Sequence, residues 1–284
     1  VDQRRSWSFA GRIARHLNEQ HVSNDRKQAE AAAAVEELMA SDGRKMYGLA
    51  LKLCRDQAEA EDLVQDTFLQ AYRKWDQFEG RSEPTSWLYT IASRLCRRRQ
   101  RPRSGEPRRM ESLHELLPVG ESMIPEIPGT ADSPLDEHLR REAREQVERA
   151  LAALPVHHRL PLVLKDIAEL SVSEVAEVLG IKQATVKTRV HRARLALRRA
   201  LAEVLPKTAS EPPDHPQRVC LDLLHAKQEA LDRGAEFPVP PEELCTRCRS
   251  LLSTLDLAHE VCSELDLDHL PEELRQSILE GIEA

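Results

Sequence analysis

The sequence predicts an all-α, modular fold: two helical units joined by a linker, then a small helical unit rich in cysteine. Three observations carry this prediction. Leu, Ala, Glu and Arg dominate the 284 residues, and all four are good helix formers. Alternating runs of Val, Ile, Thr and aromatic residues, the mark of half-buried strands, are missing. Only 40% of residues are hydrophobic and 4% aromatic against 31% charged, which suits several small helical cores better than one large enzyme domain.

Residues 1–28 read as a polar, poorly ordered N-terminal extension. They lack the continuous apolar core of a signal peptide, and no run in the chain approaches the ~18 apolar residues that span a bilayer. A cytoplasmic protein without a membrane partner is expected, where the six cysteines serve as thiols or metal ligands rather than disulfides. Residues 29–100 follow a helical pattern, with breaks near Asp42-Gly43 and between Phe78 and Pro84. Residues 101–134 are rich in Pro, Gly and charge and read as a linker. A second helical block covers 135–205, a short Pro-rich linker 206–216, and a cysteine-containing unit 217–284.

The net charge of -7 conceals a strong asymmetry. From Arg94 to Arg109 there are eight Arg against one acid, Glu106, and from Lys182 to Arg199 seven Lys or Arg and no acid. Asp256 to Glu283 holds nine acids and one base, Arg275. Two basic blocks in an acidic chain point to localised contact with nucleic acid, with solvated helix faces as the plain alternative.

Within the second basic block, "LSVSEVAEVLGIKQATVKTRVHRARLALRRAL" predicts a helix-turn-helix. Ser171 and Glu174 have capping-box spacing and start a short helix near Val172. Gly180 supplies the positive φ that ends it after Leu179. In the longer helix that follows, Val186, Val190, Leu197 and Leu201 share one buried face. Such a second helix enters the major groove with its N-terminal residues toward base edges. The candidate DNA contacts are Lys182, Gln183, Thr185, Lys187, Thr188, Arg189, His191 and Arg192. Arg reads guanine and Gln reads adenine, whereas Lys and the later Arg194, Arg198 and Arg199 are expected on phosphates.

The stretch from "ALAALPVHHRL" through this motif resembles region 4 of bacterial sigma-70-family factors, the part that reads the promoter -35 element. It is most similar to the compact extracytoplasmic-function (ECF) group, matching at Leu154, Pro155, Arg159, Thr185, Val186, Lys187, Arg189, Arg192, Ala193 and Arg194. Upstream, "AEAEDLVQDTFLQAYRKWDQF" is similar to the region 2 helix of that family. Val64, Phe68, Ala71 and Trp75 fall on an inward stripe. The resemblance implies that Asp62, Gln65 and Asp66 dock on the β′ clamp helices of core RNA polymerase, with the β subunit as a further partner. "FEGRSEPTSWLYTIASRLCRRRQR" resembles the loop and helix that capture the melted -10 element. Candidates there are Arg81, Trp87, Arg94, Arg97 and Arg98, with Trp87 and Tyr89 open to base stacking or to core packing. Arg94 and Arg98 stand where the family carries Asn and Asp.

Four cysteines fall in the last unit: Cys220, then 24 residues, Cys245, two, Cys248, thirteen, Cys262. A Cys-x-x-Cys knuckle supplies two ligands of a tetrahedral zinc site, and thiolates also favour soft ions such as copper or cadmium. A thiol switch and plain burial remain open beside metal binding. The unit resembles small zinc-binding anti-sigma domains, but Pro241 occupies the position where those carry a His, so Cys262, His259 or His225 is the expected replacement. Fused to a sigma factor, it would clamp or release the two regions, its acidic end covering a basic face. A separate anti-sigma partner is the alternative.

No nucleotide-binding glycine loop, nucleophile elbow or His-rich catalytic metal motif occurs, so no enzyme is expected. The expected function is transcription initiation: binding core polymerase and recognising -10 and -35 elements. The alternatives are a stand-alone, metal-sensing helix-turn-helix regulator and an interaction protein whose basic helices bind an acidic partner.

Overall fold

The computed structural model describes residues 3–54, 56–99, 116–117, 123–127, 134–211, 215–265 and 269–283. Most of the expected linker 101–134 lies outside them.

Helix α1, Gln3–Leu53, covers nearly all of the segment expected to be poorly ordered and passes unbroken through Asp42-Gly43. A helical glycine costs about 1 kcal/mol relative to Ala without ending the helix. Gly43 instead admits a close neighbour, since a Cβ there would lie 3.1 Å from Cδ2 of Leu270. Helix α2, Gln57–Arg73, begins at Asp56, whose carboxylate accepts from the Glu59 N–H at 2.8 Å. Val64, Phe68 and Ala71 are buried as their stripe predicts, while Trp75 lies past the helix end in a 3-10 turn, Trp75–Gln77. Helix α3, Pro84–Arg99, closes the first unit.

The second unit comprises α4 (Pro134–Ala153), α5 (Val156–Leu162) with a π-helical continuation over Val163–Ile167, α6 (Val172–Leu179) and α7 (Gln183–Val204). Helix α7 packs on α4, α5 and α6, burying Val186, Val190, Leu197 and Leu201. Both stretches expected as linkers contribute a strand. Met123–Pro125 pairs antiparallel with Lys207–Ala209, in a two-stranded ribbon that ties the inter-unit connection to the chain after α7. Three residues are too few to display a period of two.

The last unit contains α8 (Gln217–Arg233), a 3-10 turn (Pro241–Glu243), α9 (Thr246–Ser263) and α10 (Glu272–Glu283). It does not stand apart. Helix α9 lies on α7 and α4, and α10 lies on α2. One core accordingly holds Phe68 of the first unit, Val190 of the second, and Cys262 and Ile278 of the third. A smaller core gathers Leu224, Leu244, Cys245, Cys248, Leu252 and Leu255 around Leu195 of α7 and Leu116 of the connecting segment. Among the described residues, no helix is long and apolar enough to cross a membrane.

Candidate nucleic-acid interface and thiol cluster

The turn between α6 and α7 is built as its sequence dictates. The Ser171 hydroxyl accepts from the Glu174 N–H at 3.2 Å, and a Glu174 carboxylate oxygen accepts from the Ser171 N–H at 2.8 Å. These bonds hold the Glu174 carboxyl below its ordinary range. Gly180 adopts φ 64°, ψ 40°, and α7 starts three residues later. Lys182, Gln183 and Thr188 are exposed at its start, with Thr185, Lys187, Arg189, His191 and Arg192 half-buried. The Thr188 hydroxyl donates to the Ala184 carbonyl at 2.9 Å.

Two arginines expected on phosphates are interior. Arg194 and Arg198 are 1% and 3% exposed. Arg194 donates to both oxygens of Asp166, at 2.6 and 2.8 Å, and to Asp232 at 2.7 Å. Burial works against charge on Asp166, but the Arg194 guanidinium outweighs it and holds that carboxyl well below the usual range. The spacing already placed Arg194 on the face of Val190, Leu197 and Leu201, and its basic character hid this. Arg199 remains exposed.

Helix α8 lies against the exposed flank of α7. Lys187 Nζ donates to both carboxylate oxygens of Glu229, at 2.6 and 2.7 Å, and His191 Nε2 is 2.8 Å from Asp232. The Gln228 amide donates to the His191 carbonyl at 3.2 Å. Among the described residues, His191, Glu229 and Asp232 form the one group of at least three His, Cys, Asp or Glu whose ligand atoms all lie within 4.8 Å of one another. Lys187 and Arg194 already neutralise both carboxylates, so the group is an ion-pair network and not a cation site. The acidic face that meets the basic helix is therefore that of α8, not the acidic end of the chain. Helix α10 engages α2 through apolar packing instead: Leu274, Ile278 and Ile282 are buried.

In the first unit, Asp62 is exposed and Gln65 and Asp66 are half-buried on α2. Each has a partner. Arg99, from the end of α3, lies 2.5 Å from Asp66 and 4.0 Å from Asp62, and the Gln65 amide donates to Ser277 of α10 at 2.8 Å. Arg94, Arg97 and Arg98 are exposed along α3, and Arg97 reaches the Leu179 carbonyl of α6 at 3.4 Å. Arg81 is exposed and paired with Glu79. Trp87 is half-buried, with ring centroids 5.9 Å from Trp75 and 5.3 Å from Phe78. Tyr89 is 3% exposed, and burial pushes its phenol up to about 12, which removes it from base stacking in this conformation.

Three of the four cysteines come together and one does not. Cys248 Sγ is 3.2 Å from Cys220 Sγ, and Cys245 caps α9, its sulfur accepting from the Cys248 N–H at 3.5 Å. Burial, reinforced by these two neighbours, pushes the Cys248 thiol up. Cys262 lies in the main core beside Asp166, and burial pushes its thiol up as well. His259 Nε2 is 3.7 Å from Asp166, and the His225 ring lies edge-on to His191 at 6.2 Å. These alternatives for a fourth ligand thus face other partners. Thiolates on a tetrahedral zinc ion are roughly 3.8 Å apart for a Zn–S length of about 2.3 Å. The Cys220–Cys248 spacing is near that value, but the sulfurs of Cys220, Cys245 and Cys248 do not all lie within 4.8 Å of one another, so they are not pre-arranged as three ligands of one ion.

A family model described as Sigma-70 region 2 matches residues 38–105, and one described as Sigma-70, region 4 matches residues 144–197. Helices α8 to α10 lie beyond both. The ECF RNA polymerase sigma factor SigW of Bacillus subtilis is 34% identical over 160 residues, which are 56% of this chain and 84% of that protein. The ECF RNA polymerase sigma factor SigM of Mycobacterium tuberculosis is 31% identical over 196 residues, 68% of this chain and 88% of that one. A solved complex of the sigma factor RpoE with the anti-sigma factor NepR from Bartonella quintana aligns at 26% identity and TM-score 0.41, covering 58% of this chain and 94% of that one.

Proposed function

Because the chain belongs to the ECF RNA polymerase sigma factors of the sigma-70 family, we propose that it binds core RNA polymerase and directs it to promoters. Helix α7 would read the -35 element from its N-terminal turns, with Gln183 and the half-buried Arg189 and Arg192 suited to base edges and Lys182 to phosphate. The exposed arginines of α3 would hold a melted -10 strand beside the Trp75, Phe78 and Trp87 rings. Asp62, Gln65 and Asp66 would form the polymerase contact, and the chemistry of initiation would belong to the polymerase.

The observation that carries this reading is the pairing of two surfaces in one chain: a capped helix-turn-helix with an exposed polar start, and an α2 face bearing Asp62, Gln65 and Asp66. A stand-alone metal-sensing regulator has use for the first surface and none for the second. The test is copurification with bacterial core RNA polymerase. Association that is lost in Asp62→Lys/Asp66→Lys supports the reading, and association indifferent to both substitutions sinks it.

We further propose that the cysteine-containing unit regulates this activity through metal or redox state, in place of a separate anti-sigma partner. Its support is the Cys220–Cys248 sulfur contact, with Cys245 in the same small core, in a unit packed on both regions. Those three residues would hold a zinc, copper or cadmium ion, which when bound would supply a cross-link between the starts of α8 and α9.

A further inference from the structure

Helices α8 and α10 each touch one of the two surfaces that the proposed function uses: α8 meets Lys187 and His191 of α7, and α10 meets Gln65 of α2. On α7, Lys187 and His191 stand one turn apart on the flank of the groove-facing turns. They meet Glu229 and Asp232, spaced one turn apart on α8, at 2.6 and 2.8 Å. A carboxylate pair at this spacing takes the hydrogen-bonding and charge positions that DNA phosphates would otherwise fill. On α2, Gly281 of α10 seats so closely that a Cβ there would be 3.0 Å from Leu69 Cδ2, and Ser277 takes the Gln65 amide. Leu116 of the connecting segment is 1% exposed among Leu224, Leu244 and Leu252 of the same unit.

We infer that residues 217–283 are an intramolecular inhibitor: α8 competes with promoter DNA for α7, and α10 competes with core polymerase for α2. The inference rests on the promoter-factor reading above and adds the contacts by which the chain keeps itself closed. Two features of the fold argue for competition over passive packing. The first is charge matching, in which Glu229 and Asp232 lie against a helix whose residues 182–199 contain no acid. The second is reciprocity, since Gly43 and Gly281 are the helical sites where a side chain would collide across the tail contact, with Leu270 and Leu69. A closed state held at both seams responds to either, because opening one seam removes contacts that support the other.

The test uses the full chain and two substitutions that leave α2 and α7 intact. Glu229→Gln removes the carboxylate facing Lys187, with Glu236→Gln, an exposed site outside the seam, as the control of equal charge change. Binding to a mixed-sequence duplex of about twenty base pairs is measured at low salt. Gly281→Leu wedges α10 off Leu69, and binding to bacterial core RNA polymerase is measured. Loss of one charge-assisted contact from the closed state should strengthen duplex binding by about ten- to a hundredfold in Glu229→Gln and not in Glu236→Gln. Gly281→Leu should strengthen polymerase binding comparably. Unchanged duplex binding in the first, or unchanged polymerase binding in the second, overturns the inference while the promoter-factor reading stands. If neither the native chain nor either variant binds polymerase, both fall together.

Discussion

Asp166 and Arg194 form a bidentate ion pair, at 2.6 and 2.8 Å, with each side chain 1% exposed. It joins the π-helical turn before α6 to the middle of α7. A buried pair is stable only while both charges remain, since removing one leaves the other desolvated and alone. Arg194→Met, which strands both Asp166 and Asp232, should therefore cost about 3–5 kcal/mol of unfolding free energy, and Asp166→Asn, which leaves Arg194 its bond to Asp232, should cost less. Denaturant titration would read this as a larger fall in the midpoint for Arg194→Met. The folded carboxyl of Asp166 is depressed, so its stabilisation is present above the ordinary carboxylate pKa and is lost as pH falls through the folded value. Acid down to about pH 4 should accordingly leave this pair intact.

His158 behaves in the opposite sense. Burial lowers its pKa from 6.5 to about 4, and the ring donates through Nδ1 to the Arg189 carbonyl at 3.2 Å. Between those values the unfolded chain binds a proton that the folded chain refuses, so stability falls as pH drops from about 6.5 toward 4 and levels off below. His158→Phe removes the titration. Its unfolding midpoint should vary less between pH 7 and pH 5 than that of the native chain, and an equal slope in both would rule His158 out as the source.

Much of this architecture was legible in the residues because its determinants are local. Ser171, Glu174 and Gly180 specify α6 and its turn through their own backbone bonds, and Val186, Val190, Leu197 and Leu201 specify the buried face of α7. What escaped the sequence depends on partners distant along the chain. Gly43 reads as a helix break until Leu270 is seen against it, and Arg194 reads as a phosphate contact until Asp166 is placed beside it. Likewise, nearness in sequence grouped Cys262 with the other cysteines. Four turns of α9, about 21 Å, separate it from Cys248 and place it in the main core with Asp166 instead.

The local determinants make a direct prediction. Ser171→Ala deletes one half of the capping box and should cost about 1 kcal/mol. Gly180→Ala forces a Cβ into the left-handed region and should cost about 1–2 kcal/mol. Nothing lies within 4 Å of a Cβ at Gly180, so its cost is conformational and not a clash. The two sites act on one helix and its exit, and thermal unfolding of the double variant should fall near the sum of the singles. A Gly180→Asn variant, which tolerates positive φ, should recover most of the second loss.

The cysteines provide the last test, because geometry separates them. Cys220, Cys245 and Cys248 share the small core where α8 and α9 begin, whereas Cys262 is 0% exposed in the main core. Cadmium added to the reduced chain should raise the ultraviolet absorbance of thiolate–metal charge transfer. Cys220→Ser, Cys245→Ser and Cys248→Ser should each lower that signal, while Cys262→Ala should keep it and lose only packing stability, by about 1 kcal/mol. The Cys248 thiol is held up by burial and by its neighbours, so an ion that binds it must displace a proton. Binding should therefore release protons and weaken as pH falls from 8 to 6. A Cys262→Ala variant that loses the signal, or uptake that ignores pH, would move the ion away from the three sulfurs.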